Sequence, residues 1–208
     1  MKTRARTFVR GDQKIVLIGM MHIGTESYYA QINEYISSFK RHQVLYEKVK
    51  IEDKTNPLII EMGKLYMLLA DVLGLELQLL HVRPKKNWIN ADLDLEILES
   101  AKGKPLKDIE KLRRINKRLE DESKHMYWRG LFRFFIRFLL PIILKFADKP
   151  VILTLRNYKV VIDIFEALKK KKKLTVIYGD AHRKGIEEYL TSVGFELYNE
   201  RRFYPLRE

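Results

Sequence analysis

The stretch LIGMMHIG, Leu17 to Gly24, carries the apolar run Ile15, Val16, Leu17 and Ile18 into a glycine and, three positions later, a histidine. The arrangement returns near the other end of the chain, in VIYGDAHRKG, Val176 to Gly185. A short apolar run bounded by a turn residue reads as a strand. Two such strands, each followed by Gly-x-x-His, set the frame for the rest of the sequence.

Outward from the first strand, Thr7 to Val9 and Lys14 to Ile18 flank Arg10-Gly11-Asp12-Gln13 and predict an N-terminal β-hairpin. Tyr29, Ile32, Ile36 and Phe39 then share one helical face, and Gln43 to Tyr46 reads as a short buried strand ending at Glu47. A helix over Pro57 to Leu73 stops at Gly74, and the alternation in Leu75 to Leu80 predicts a third strand before Pro84. Leu174 to Tyr178 is a strand, His182 to Val193 a helix ended by Gly194, and Phe195 to Tyr198 a last strand. Strands alternating with helices predict an α/β fold, a mainly parallel central sheet with flanking helices, built as one domain over 1–208.

The segment from about residue 92 to 150 reads differently, as an all-helical insert or cap. Leu106, Ile109, Leu112, Ile115 and Leu119 draw an apolar stripe through a charged field. Arg129, Arg133 and Arg137 recur every fourth residue in a second, mostly apolar helix that Pro141 kinks or ends. The apolar part, 131–146, suits a cap helix, a dimer face, a groove-closing element or an anionic membrane surface.

The chain of 208 residues has no cysteine, which excludes disulfides, thiolate metal sites and a cysteine nucleophile. Any metal must be held by His, Asp or Glu. No stretch approaches the roughly 18 apolar residues that span a bilayer, and the start lacks a signal-peptide core. The expected location is cytoplasmic, or peripheral to a membrane. The net charge of +13 favours anionic partners, and the run Lys169 to Lys173, with Lys85, Lys86 and the Lys107 to Arg118 cluster, could contact phosphates or simply form a solvated face. No nucleic-acid motif accompanies these lysines, so nucleic acid ranks below a membrane surface as a partner.

In a parallel sheet, ligands and catalytic groups gather outside the carboxyl ends of the strands. His22, Glu47 and His182 all fall just past such ends, which predicts a shared crevice. Gly19 and Gly179 are expected to supply the tight turns that bring each histidine back over the sheet. Two imidazoles and a carboxylate make a divalent-metal or general-base cluster. Asp180 adds either a further oxygen ligand or a helix cap. Arg156 falls on the buried side of a helix and needs a carboxylate or a substrate oxyanion as partner, while Asn157 orders the adjoining turn.

Gly19-Met20-Met21-His22, Glu47 in LYEKV, Arg156-Asn157 in LRN, and Gly179-Asp180-Ala181-His182 followed by Lys184-Gly185-Ile186 resemble the TraB/PrgY (pheromone shutdown), GumN and Tiki group. The resemblance runs with gaps from about residue 5 to 200. It implies a fold related to erythromycin esterase and the haem-binding ChaN proteins. It also implies a metal-dependent peptidase, with manganese or cobalt ahead of zinc, acting on a peptide or protein. By motif, the site carried over is His22, Glu47, Arg156 and His182, with Asp92 in NADLD as a further family segment. In that chemistry His22, His182 and Glu47 hold one divalent ion whose bound water attacks a carbonyl; alternatively Glu47 is the general base and Arg156 steadies the oxyanion. The competing reading is a catalytically silent protein that uses its basic helices to bind nucleic acid or an anionic membrane.

Overall fold

The computed structural model describes residues 1–48, 57–93, 105–124 and 150–206. Strands β1 (Thr3–Arg10) and β2 (Gln13–Met20) form an antiparallel hairpin with Arg10 opposite Gln13. Gly11 makes its turn at φ 56°, a conformation open to glycine without steric cost. After β3 (Ile23–Gly24), helix α1 (Glu26–Ser37) starts at Thr25, whose hydroxyl accepts from the Tyr28 N–H. β4 (Gln43–Tyr46), α2 (Pro57–Leu73), β5 (Glu76–Leu77), α3 (Gln78–His81) and β6 (Ile89–Asn90) follow. The remaining described elements are α4 (Pro105–Lys124), α5 (Pro150–Lys170), β7 (Lys173–Gly179), α6 (Asp180–Ser192) and β8 (Glu196–Phe203).

The main sheet is mixed and mostly parallel, with strand order β6-β4-β7-β2-β1-β8. β6, β4, β7 and β2 run parallel, and β1 lies antiparallel between β2 and β8. Helices cover both faces, so the central strands are nearly continuous apolar runs, with buried Thr175 of β7 satisfied by His42 at 3.0 Å. Ile15, Leu17, Leu174, Val176 and Tyr178 turn to one face, where Val160, Ile164 and Leu168 of α5 and Ile186 and Leu190 of α6 meet them. Val16, Ile18, Met20 and Ile177 turn to the other, against Tyr28, Tyr29, Ile32 and Ile36 of α1.

Leu75 to Leu80 is not a third strand of this sheet. Glu76 and Leu77 pair with Gly24 and Ile23 in a separate two-stranded ribbon, and the chain then turns into α3. Leu79 is 69% exposed, so the alternating leucines are not the inward face of a strand. The third strand added beside β4 is instead the two-residue β6. In the insert, α4 is helical and lies on α2, where Leu119 joins Leu65, Leu69, Leu73 and Ile23 in a satellite core. The segment 131–146, with Arg129, Arg133, Arg137 and Pro141, lies outside the described residues. No helix of the described residues is long and apolar enough to cross a membrane.

Candidate functional site

The carboxyl ends of β2, β4, β6 and β7 lie along one edge, since Met20 sits opposite Gly179, Tyr46 opposite Ile177 and Asn90 opposite Tyr46. Glu47 continues β4, with its N–H donating to the Ile177 carbonyl at 3.0 Å. Asp92 continues β6 in the same way, one residue beyond Ala91, whose N–H donates to the Tyr46 carbonyl at 3.0 Å. α5 leads directly into the amino end of β7, so it runs against the strands and brings its early turns, with Arg156 and Asn157, to this edge.

Arg156 is buried between two carboxylates. Its Nε donates to Asp92 Oδ1 at 2.9 Å and its Nη2 to Asp92 Oδ2 at 2.8 Å, while Nη2 also donates to Glu47 Oε1. The second Glu47 oxygen, Oε2, accepts the backbone N–H of Gly179. Asp92 has a fully buried side chain that further accepts the Leu93 N–H at 2.9 Å and the Tyr178 hydroxyl at 3.2 Å. Burial alone would raise the Glu47 pKa, but Arg156, His22, His182 and the Gly179 N–H outweigh it and hold the carboxyl below its usual range. The Arg156 pKa stays above its ordinary value: burial works against the charge, and Glu47 and Asp92 more than restore it.

His182 is buried at the start of α6. Its Nδ1 lies 2.9 Å from Asn157 Oδ1, and its ring meets Tyr178 edge-on at 5.0 Å. An amide oxygen only accepts, so Nδ1 carries the proton and Nε2 keeps its lone pair. That Nε2 is 3.9 Å from Glu47 Oε1. Burial pushes the His182 pKa down to about 4, with Arg156 and His22 adding to the fall against Glu47 and Asp92, so the imidazole is neutral at pH 7. His22 is exposed at the rim, with Nδ1 3.1 Å from Gln78 Oε1 and its ring 5.0 Å from that of Tyr66. It is in the same tautomer for the same reason.

The glycines act by what they lack. Gly19 and Gly179 both have negative φ, so neither uses the conformational freedom of glycine; Gly19 lies within β2, short of a turn, while Gly179 ends β7 and is the N-cap at which the chain passes directly into α6. A Cβ at Gly179 would stand 3.0 Å from Glu47 Oε2, and one at Gly19 would overlap the Asp180 carboxylate. A Cβ at Gly185 would overlap the Asn157 amide nitrogen, so this glycine is what lets Asn157 reach His182. Asp180 caps nothing: Gly179 is the N-cap, and Asp180 Oδ1 accepts from Arg183 Nε at 3.0 Å.

His182, Glu47 and the rim residue His22 are the donors that a divalent cation would meet at this edge, with both Glu47 oxygens already accepting from Arg156 and the Gly179 N–H. One guanidinium faces two carboxylates, and both imidazoles hold Nδ1–H on a side-chain amide, the outer-shell arrangement usual for metal-bound histidine. The 3.9 Å between His182 Nε2 and Glu47 Oε1 is near the roughly 3–4 Å that separates two ligands on one ion. The third ligand is not in place: among the described residues, no three His, Asp or Glu side chains converge to hold an ion. His182, Glu47 and His22 are therefore neighbours with the right chemistry rather than a closed cage. Asp92, which the sequence places at the margin, lies at the centre of the ion pairs. Tyr178 and Gln78 carry no signal in the sequence beyond strand and helix propensity. Compared with family models, curated proteins and solved structures, the chain finds no match in any of the three, so the TraB/PrgY, GumN and Tiki resemblance rests on the quoted residues alone.

Proposed function

We propose that the chain is a metal-dependent hydrolase of the TraB/Tiki type, cleaving a peptide or related carbonyl substrate in the crevice at the carboxyl edge of the sheet. The observation that carries this reading is the matched pair of imidazoles, each fixed by a side-chain amide so that Nε2 keeps its lone pair, with that of His182 3.9 Å from Glu47 Oε1. His182, Glu47 and His22 would hold the ion, with manganese or cobalt ahead of zinc. A divalent ion bound there would supply Lewis acidity, bringing the pKa of water from 15.7 to about 7. The need for such help follows from the residues themselves, because an efficient general base has a pKa near the working pH. His182 at about 4 and Glu47 below its ordinary range are both weaker bases than that.

The other roles follow from contacts. Arg156 keeps Glu47 ionised and oriented, and Asp92 holds Arg156 by a two-point fork that a lysine could not reproduce. With Nε and Nη2 so engaged, Nη1 is the guanidinium nitrogen without a partner among the described residues, and it would meet a developing oxyanion. Asn157 fixes the His182 ring, and Tyr178 links that ring to Asp92.

Metal content measured after equilibration with manganese, cobalt or zinc, wild type beside His22→Ala/His182→Ala, tests the assignment, together with a peptide and ester hydrolysis screen. One tightly held ion and hydrolysis in the wild type, both lost in a folded double variant, is the expected result. Equal metal content in the two proteins overturns it.

A further inference from the structure

The amino edge of the sheet, opposite the crevice, gathers cations. Lys85 and Lys86 precede β6, Lys40 and Arg41 precede β4, Lys171 to Lys173 lead into β7, and Lys14 opens β2. These entrances lie side by side: Gln43 is opposite Leu174 and Lys14 opposite Lys173, Gln43 Nε2 donates to the Asn87 carbonyl at 2.7 Å, and the Lys14 N–H donates to the Lys172 carbonyl at 2.8 Å. Four adjacent strands at their usual spacing make a row about 14 Å long. Apart from half-buried Lys14, the lysines and arginine of the row are exposed. His42 lies within the row, its Nδ1 at 3.1 Å from the Leu174 carbonyl, and after burial it is Lys14 and Lys173 that disfavour its protonation. Asp12, 3.3 Å from Lys172 Nζ, offsets one charge.

We propose that this row docks the protein on an anionic membrane leaflet. A row of lysine ammonium groups, which act as point charges, matches a lattice of anionic head groups without needing a fixed spacing. Base-edge readout in a duplex favours arginine forks, and the row has one arginine. Single-stranded nucleic acid favours aromatic platforms, yet Phe39 and Trp88, the aromatic residues next to these cations, pack on Tyr35 and Tyr46. Docking through the amino edge keeps the membrane away from the opposite edge, which carries Glu47 and His182.

Co-sedimentation of the full chain with phosphatidylserine-rich and pure phosphatidylcholine vesicles tests the proposal. Lys85→Glu/Lys86→Glu/Lys171→Glu is compared with Arg114→Glu/Lys117→Glu/Arg118→Glu, an equal charge change on exposed positions of α4. The expected result is binding to the anionic vesicles alone, weakened roughly hundredfold by the first variant and much less by the second. The glutamine versions of the same three lysines give a smaller loss in the same order and serve where charge reversal impairs folding. No binding to anionic vesicles, or equal loss in the two variants, overturns the proposal. So does tighter binding to duplex DNA than to vesicles at equal phosphate, which would assign the row to nucleic acid.

Discussion

Arg156 grips Asp92 at two points, Nε to Oδ1 at 2.9 Å and Nη2 to Oδ2 at 2.8 Å, while the same Nη2 donates to Glu47. Removing the guanidinium leaves two buried carboxylates facing each other without a counter-ion, a class of change that costs about 3–5 kcal/mol. Arg156→Met should therefore lower the urea midpoint sharply. Arg156→Lys should recover only part of the loss, because one ammonium cannot make the fork. Equal stability of Arg156→Met and wild type would show that this triad contributes nothing to folding.

The depressed His182 pKa makes a linked prediction. The imidazole titrates near 6.5 when unfolded and at about 4 when folded, so between those values the unfolded chain binds the extra proton. Stability from this group is fully present above about pH 6.5 and is lost as pH falls toward 4, by about 3 kcal/mol in all. Glu47 adds to the acid loss at lower pH, since its folded pKa lies below the unfolded one. His182→Gln should flatten the pH dependence of unfolding between pH 6.5 and 4. An NMR titration placing the His182 pKa near 6.5 in the folded protein would contradict the argument.

Gly185 tests the positioning of His182 without touching it. A methyl group there displaces the Asn157 amide and frees Nδ1 from its fixed partner. Gly185→Ala should cost about 1–3 kcal/mol, as small-to-large changes in packed regions do. Its imidazole ¹⁵N shifts should show a mixed tautomer for His182, where the wild type shows proton on Nδ1 alone. Unchanged shifts would mean that Asn157 does not set the ring.

Away from the crevice, α2 and α4 are clamped through Glu61 and Asn116. Asn116 Nδ2 donates to both the Glu61 carbonyl and Glu61 Oε2 at 2.9 Å, and Arg113 Nε donates to Oε1 at 3.3 Å. Asn116→Leu removes two donors from a buried partner and should cost about 1–3 kcal/mol in thermal or chemical unfolding. Arg113→Gln, on an exposed donor, should cost less than 1 kcal/mol or so.

The central strands were legible because both of their faces are buried: Ile15 to Ile18 is apolar at every position, and Leu174 to Tyr178 at every position but Thr175. β8 was seen only in part, since it is an edge strand whose Glu196 to Arg202 face is largely solvated and whose extent is fixed by pairing with β1. Leu75 to Leu80 misled because alternation is a necessary mark of a half-buried strand and not a sufficient one. At the site, His22, Glu47 and His182 could be placed from strand ends alone. The partners of the two imidazoles, Gln78 and Asn157, sit 56 and 25 residues away in sequence, and contacts of that range leave no periodic trace. Tyr178 was hidden in plain view as one more apolar strand position.

The strand order has a consequence for how the chain is made. β7 lies between β4 and β2, yet more than 120 residues separate it from β4, and β2 and β4 meet each other only through it. A ribosome therefore releases the first hairpin, α1 and β4 long before the strand that joins them exists, and two apolar strand edges wait unpaired during that interval. Synthesis rate and chaperone access over that interval, more than the stability of the finished sheet, should govern how much of the protein escapes aggregation.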